Sequence, residues 1–254
     1  MNEQPNPSDL VIPPLNTSMV GARILVFPRL DSTNTTALRI GGDGTVVLAD
    51  TQTAGRGRQG RSWHSAPGKG VYVTVTVRGP LDGLPFAAAL AVRDALRPYV
   101  APQIKWPNDL LLDGRKISGI LVEHRERISA VGIGVNVNQE PADFPAELRD
   151  SAASVCMATG KPLDRALLAR DVLQNLDRRI LALRDGGYAA IRDEWAGACN
   201  LEGRRVRYKN MVATVSRIDV SGALILATPE GDHRLMAGES RDVTLLGGVD
   251  SCSL

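Results

Sequence analysis

Thr53 to Ser65 reads T-A-G-R-G-R-Q-G-R-S-W-H-S, with three arginines among three glycines. Glycine lets a backbone approach a ligand closely, and arginine presents forked donors that match carboxylate or phosphate. Gly55, Gly57 and Gly60 spell the G-x-G-x-x-G of a dinucleotide fold, and Gly55 with Gly60-Arg61-Ser62 approaches a P-loop with Arg in place of Lys. Both motifs need a helix directly after the glycines, whose N-terminus seats the phosphate. Here Ser65-Ala66-Pro67-Gly68-Lys69-Gly70 leads instead into an alternating apolar stretch, and Pro with two Gly opens no stable helix. Arg-Gly segments also bind single-stranded nucleic acid, usually with aromatics for stacking; Trp63 is the one large aromatic in this motif. A linker would not lie between two core strands, nor require three arginines. What remains is a loop that closes over an anion. From Thr51 to Leu81 there is no acid, while Arg56, Arg58, Arg61, Lys69 and Arg78 carry more charge than the net +2 of the whole chain. Ordering about seven loop residues costs roughly 7–14 kcal/mol of backbone entropy. A polyanion could offset that through charge-assisted bonds of about 1.5–3 kcal/mol each. The loop is therefore expected to be disordered when empty and ordered around a ligand.

The elements that must position this loop are readable from pattern. With 254 residues, 43% hydrophobic and 23% charged, the chain has the length and composition of a globular protein of one large domain, or one with a small partner. No apolar run approaches the roughly 20 residues needed to span a bilayer. The Pro- and Asn-rich residues 1–21 lack the basic start and apolar core of a signal peptide and read as a mobile tail. Three cysteines far apart give neither a disulfide framework nor zinc spacing, which points to the cytoplasm. Ala22–Phe27 and Thr45–Asp50 read as strands, with a helix from Ser32-Thr33 to Ile40 between them. Val71–Val77 alternates Val with Tyr and Thr and is expected to be half-exposed. Pro85–Leu96, Leu163–Arg184 and Tyr188–Ala198 read as helices. Four closely spaced strands fill 104–137, with gaps that suit antiparallel pairing. After Asn200 short strands punctuated by Gly203, Gly222, Gly231 and Gly238 suggest a small barrel. The boundaries expected are a tail over 1–21, a main domain over 22–199 and a small domain over 200–254.

A second segment, KWPNDLLLDGRKISGILVE from Lys105 to Glu123, bears on the chemistry. Together with DSTN (Asp31–Asn34), TQTAGRGRQGRSW and GIGVNVN (Gly132–Asn138), it resembles the biotin protein ligases in motif order and spacing, over roughly Ala22 to Leu246. The resemblance implies an α+β fold: a mixed, largely antiparallel sheet flanked by helices, of the class II synthetase-like kind. GAL and GES near the C-terminus fit an SH3-like small domain. No DNA-binding segment of about 60 residues precedes the catalytic motifs, so ligase activity without a DNA partner is expected. The implied reaction uses biotin, ATP and Mg²⁺: biotin is activated as biotinyl-5′-AMP, then passed to a lysine of a biotin carboxyl carrier domain. A monomer and a homodimer both remain open.

Joining a carboxylate to a polyphosphate needs positioning and positive charge rather than an enzymic nucleophile. That suits a chain whose three histidines are scattered. Lys116, by itself a hairpin lysine, corresponds to the family lysine at K-x-x-G and is expected to touch both biotin carboxylate and α-phosphate. Gly119, read as lying on the opposite register, leaves room for ligand. Arg58 and Arg61 are expected on phosphate or carboxylate oxygens, with Arg58 also catalytic, and Arg56 is expected to orient the closed loop on biotin. Trp63 would cover the adenine or pack in the core. Ser32, Thr33 and Asn34 cap a helix and, with Gln52, Gly55 and Gly57, are placed around biotin. Lys105, Asn108 and Asp109 form a polar turn around Pro107 that, with Asn136, is placed near the nucleotide. Asp109 is a candidate to organise Mg²⁺, although no metal ligand set is assigned. A lipoate or octanoate ligase and an Arg-Gly nucleic-acid module stand as rivals.

Overall fold

The computed structural model describes residues 10–79, 81–219, 221–236 and 243–246. A seven-stranded sheet forms the body, in the order β1-β2-β3-β7-β6-β5-β4. Its strands are β1 (Arg23–Phe27), β2 (Thr45–Ala49), β3 (Gly70–Arg78), β4 (Gln103–Lys105), β5 (Asp109–Leu112), β6 (Arg115–Arg125) and β7 (Ile128–Asn136). Only β1 and β2 run parallel; all other neighbours are antiparallel. The parallel pair requires a crossover, supplied by α1 (Thr33–Ile40), which Ser32 caps at its start and Gly41, at φ 67°, at its end.

The strand expected to be half-exposed is buried on both faces. Val71, Val73, Val75 and Val77 enter the core beneath α2 (Leu84–Leu96) and α4 (Arg165–Gly186). Tyr72, Thr74 and Thr76 are equally buried on the other face. Alternation marks two chemically different faces, but it does not say that the polar face meets water. Here Thr74 meets α1 instead, bonding Thr33 and Asn34 through their side chains.

The segment from Leu10 to Gly21, read from composition as a mobile tail, is packed. Leu10 and Val20 belong to the core, and the buried Asp177 carboxylate on α4 accepts the backbone N–H groups of Ser18, Met19 and Val20 at 2.8–2.9 Å. Sequence-local reasoning could not see this, because the partner lies about 158 residues away. Asp177→Ala strands three donors at once and should cost about 2–4 kcal/mol. Thermal unfolding should show a midpoint lower by roughly 5–10 °C; an unchanged midpoint would remove Asp177 as the anchor.

Past α5 (Ala189–Cys199), strands β8 (Arg205–Tyr208), β9 (Met211–Ile218), β10 (Leu224–Thr228), β11 (Gly231–Leu235) and β12 (Val243–Leu245) make a second, antiparallel sheet in the order β11-β10-β9-β8-β12. Among the described residues β11 and β12 end opposite edges of this small β unit, with no ladder closing them into a complete barrel. Gly222 of the GAL motif, at φ +83°, presents its carbonyl to the indole N–H of Trp106 at 3.0 Å, joining the small sheet to the K-W-P-N-D turn. GES, at 238–240, lies outside the described residues. Trp195 is fully buried against Phe86, with ring centroids 4.0 Å apart.

Candidate active site

A cleft opens over β6 and β7 and is walled by the Arg-Gly loop, the start of α1 and the K-W-P-N-D turn. Gly57 donates to the Arg61 carbonyl at 2.7 Å and Trp63 to the Gly55 carbonyl at 2.8 Å, so the loop folds as a hairpin around a short 3₁₀ turn at Arg58–Gly60. Its residues Arg56 through Trp63, apart from Gly60, line the cleft.

One end of the cleft is polar and uncharged. Ser32, Thr33 and Asn34 reach it from the start of α1, and Gln52 from just beyond β2. Gln52 Oε1 accepts from the backbone and hydroxyl of Thr33 at 2.9 and 3.1 Å, and its amide donates to Ser65 at 3.1 Å. The helix cap and the binding role read for these residues are geometrically compatible. Thr74 and Ser65 belong to this network too. Nothing in sequence distinguished Thr74 from other strand threonines.

At the centre, Gly119 and Gly134 face each other across β6 and β7, leaving a trough without side chains. The Trp63 indole lies in it: a Cβ at Gly119 would come within 2.9 Å of that ring, and one at Gly134 would overlap it. The indole N–H is buried without a hydrogen-bond partner. Gly134→Ala should therefore displace the indole and raise the KM of whatever occupies the trough at least tenfold. Unchanged saturation curves would show that Trp63 yields freely.

Lys116 also lies over Gly119, its Nζ 3.1 Å from the Cβ position. A regular strand would send residues three apart to opposite faces, as the sequence reading assumed. The β5–β6 register breaks it: Leu110 pairs with Ser118 but Leu111 with Lys116, so Ile117 is the extra residue of a bulge. The bulge re-aims Lys116 onto the face of Gly119. Its backbone is held from both sides, donating to Ser151 O at 2.7 Å and accepting from Ala153 at 2.9 Å. Its ammonium pairs with Asp109 at 2.7 Å and stands 5.6 Å above the Trp63 ring.

The other end is cationic, with Arg58, Arg61 and Lys105 around Asp109. Arg58 donates to Asn108 Oδ1 at 3.0 Å. Burial lowers its guanidinium pKa, Asp109 opposes that and Arg61 adds to it. Two cations on one short loop, one of them desolvated, make a place for an anion.

Three residues expected in the site do not line the cleft. Gly55 closes the hairpin base under Trp63; a Cβ there would come within 2.7 Å of the Trp63 carbonyl. Asn108 fixes Arg58 and donates to Ile120 O at 2.8 Å. Asn136 donates to Lys116 O at 3.3 Å and Ala153 O at 3.0 Å, so it steadies the lysine's backbone. Arg56, expected to orient the closed loop on biotin, lines the cleft and is held by protein: both oxygens of Glu123 accept from it at 2.8–3.0 Å, and Thr35 Oγ1 accepts at 2.8 Å. Glu123 ends the K-x-x-G-I-L-x-E motif; its place there was the available signal.

A half-sheltered lysine between a neutral hydrogen-bonding pocket and an anion-binding loop defines an acid-activating ligase. The chain belongs to the Biotin/lipoate A/B protein ligase family, whose model matches residues 26–140. It is 36% identical over 245 residues to the bifunctional ligase/repressor BirA of Bacillus subtilis, covering 89% of this chain and 75% of that protein. It is 36% identical over 235 residues to the biotin–[acetyl-CoA-carboxylase] ligase of Paracoccus denitrificans, covering 84% of this chain and 98% of that protein. In three dimensions it is similar to the biotin protein ligase from Aquifex aeolicus in complex with biotin and ATP, with TM-score 0.78 and 27% identity, covering 88% of this chain and 98% of that one. The mixed α+β sheet and small β unit expected from the sequence are those of this family.

Proposed function

We propose that this protein activates biotin with ATP and transfers it to a lysine of a biotin carboxyl carrier domain. The carrying observation is Lys116 above the Gly119–Gly134 trough, between a neutral polar end and a cationic end. A biotin carboxylate oxygen attacks the α-phosphorus of ATP; the new C–O–P bond forms as the bond to the pyrophosphate oxygen breaks. Lys116 stands where carboxylate and α-phosphate repel each other and offsets that repulsion. Arg58, Arg61 and Lys105 hold phosphate oxygens, and Ser32, Thr33, Asn34 and Gln52 receive the uncharged ring system. In the second step the carrier's lysine amine attacks the carbonyl carbon of the mixed anhydride; an amide forms, AMP leaves with the bonding pair and the amine loses a proton.

Mg²⁺ binds with one or two carboxylates plus substrate phosphates, and Asp109, at the cationic end, is the carboxylate that would hold it; it would supply further neutralisation of the triphosphate. Among the described residues no three His, Cys, Asp or Glu converge on one point, which fits an ion carried in by the nucleotide. Among the described residues no helix is long and apolar enough to cross a membrane, and the reading places the reaction in the cytoplasm.

Pyrophosphate exchange into ATP, run with Mg²⁺ and with biotin, lipoate, octanoate or no acid, tests the reading. Exchange is expected with biotin alone. Exchange with lipoate or octanoate instead would keep the fold and discard the specificity; the relatives named as biotin ligases weigh against that. A nucleic-acid module is disfavoured because Arg56 and Arg58 turn inward onto Glu123 and Asn108.

A further inference from the structure

Glu123 lies outside the trough, at the far end of β6, yet it joins two parts of the site. Its carboxylate takes Arg56 of the loop through both oxygens and also accepts from Asn34 Nδ2 at 2.8 Å. The second amide hydrogen of Asn34 goes to Leu121 O at 3.2 Å, and Oδ1 accepts from Thr74 at 2.6 Å. Two acceptors on one side of the amide fix which way Asn34 points. Thr74 continues to the Thr33 hydroxyl, the Thr33 backbone N–H to Gln52, and Gln52 to Ser65. One hydrogen-bonded chain thus runs from Arg56, near the start of the loop, under the neutral end of the cleft, to Ser65 at the loop's end. Arg56 and Glu123 are 43% and 29% exposed, so the ion pair adds little to overall stability.

We propose that Glu123 is a positioning residue for the reaction: a latch that holds the loop closed through Arg56 and, through Asn34, ties closure to the ring-binding end of the cleft. This rests on the acid-activating reading above and adds to it a route by which occupancy of the neutral end is felt by the loop. Like charges on the open loop repel. Glu123 neutralises Arg56, leaving Arg58 and Arg61 for the substrate's phosphates.

The test is release of preformed, labelled biotinyl-adenylate from wild type, Glu123→Met, Arg56→Met, the double variant and Glu123→Gln. Each Met variant should release it about tenfold faster, and the double variant by well under the product of the two, since both remove the Arg56–Glu123 pair. Glu123→Gln keeps an acceptor for Asn34 but loses the charge; it should fall between, with a wild-type thermal midpoint, and it carries the test if the Met variant does not fold. Wild-type retention in Glu123→Met or, where that does not fold, in Glu123→Gln, or a double variant at the product of the singles, overturns the latch while the ligase reading stands. A wild-type protein that forms no adenylate from biotin overturns both, and pyrophosphate exchange separates the two cases.

Discussion

Lys116→Ala should lower the rate of biotin-dependent pyrophosphate exchange by about three orders of magnitude, leaving the fold intact. A single preorganised donor aimed at developing charge is worth roughly 10²–10³ in rate, and this one is a full cation. The variant has a second cost. Asp109, paired with Lys116 at 2.7 Å, loses that partner. Lys116→Ala with Asp109→Ala should recover none of the loss, because it also removes the carboxylate that would hold Mg²⁺. The folding cost is small because the Lys116 side chain is 36% exposed and its backbone is held by Ser151, Ala153 and Asn136 independently of the side chain. Exchange at the wild-type rate in Lys116→Ala would remove the lysine from the reaction. An equal loss in Asn136→Ala would be consistent, since that amide holds the Lys116 carbonyl, but a smaller one is expected.

Arg58→Gly should let the adenylate escape. The guanidinium is partly buried, fixed by Asn108 and set beside Arg61, so it reaches the cleft preorganised and poorly hydrated. Charge-assisted bonds are worth about 1.5–3 kcal/mol each, and 1.4 kcal/mol is tenfold in affinity; losing one or two should speed adenylate release about 10–100-fold. The distinctive readout is chemical. A mixed anhydride in solution acylates any exposed amine, so bystander proteins mixed with Arg58→Gly, biotin and ATP should become biotinylated on lysines. Wild type should label a carrier domain and spare the bystanders. Tight retention by Arg58→Gly would take this arginine off the adenylate. Arg56→Met gives a milder version of the same behaviour if the latch is right, because it loosens the loop while leaving the phosphate contacts in place.

The contrast between Arg56 and Arg58 shows where sequence reading stops. Two residues apart in one motif, they are indistinguishable by type and spacing. Glu123, 67 residues further along, claims Arg56, while Asn108, 50 residues along, steadies Arg58 towards the cleft. By itself the sequence determined the elements from β1 to β7, the cap at Ser32, the cationic character of the Arg-Gly loop and the family, and it singled out Lys116 as the candidate cation. These are properties of short windows: periodicity, turn chemistry, charge and motif. The tertiary structure decided what depends on partners distant in the chain. The Ile117 bulge is set by pairing with β5 and puts Lys116 over Gly119, contrary to simple alternation. The second face of β3 is buried because α1 crosses it, and residues 10–21 are packed because Asp177 offers three acceptances to them. Asn136 clamps backbone because the Lys116 and Ala153 carbonyls converge on its amide. In each case the local pattern leaves several satisfactory environments for a polar group, and long-range packing selects the one whose hydrogen bonds close.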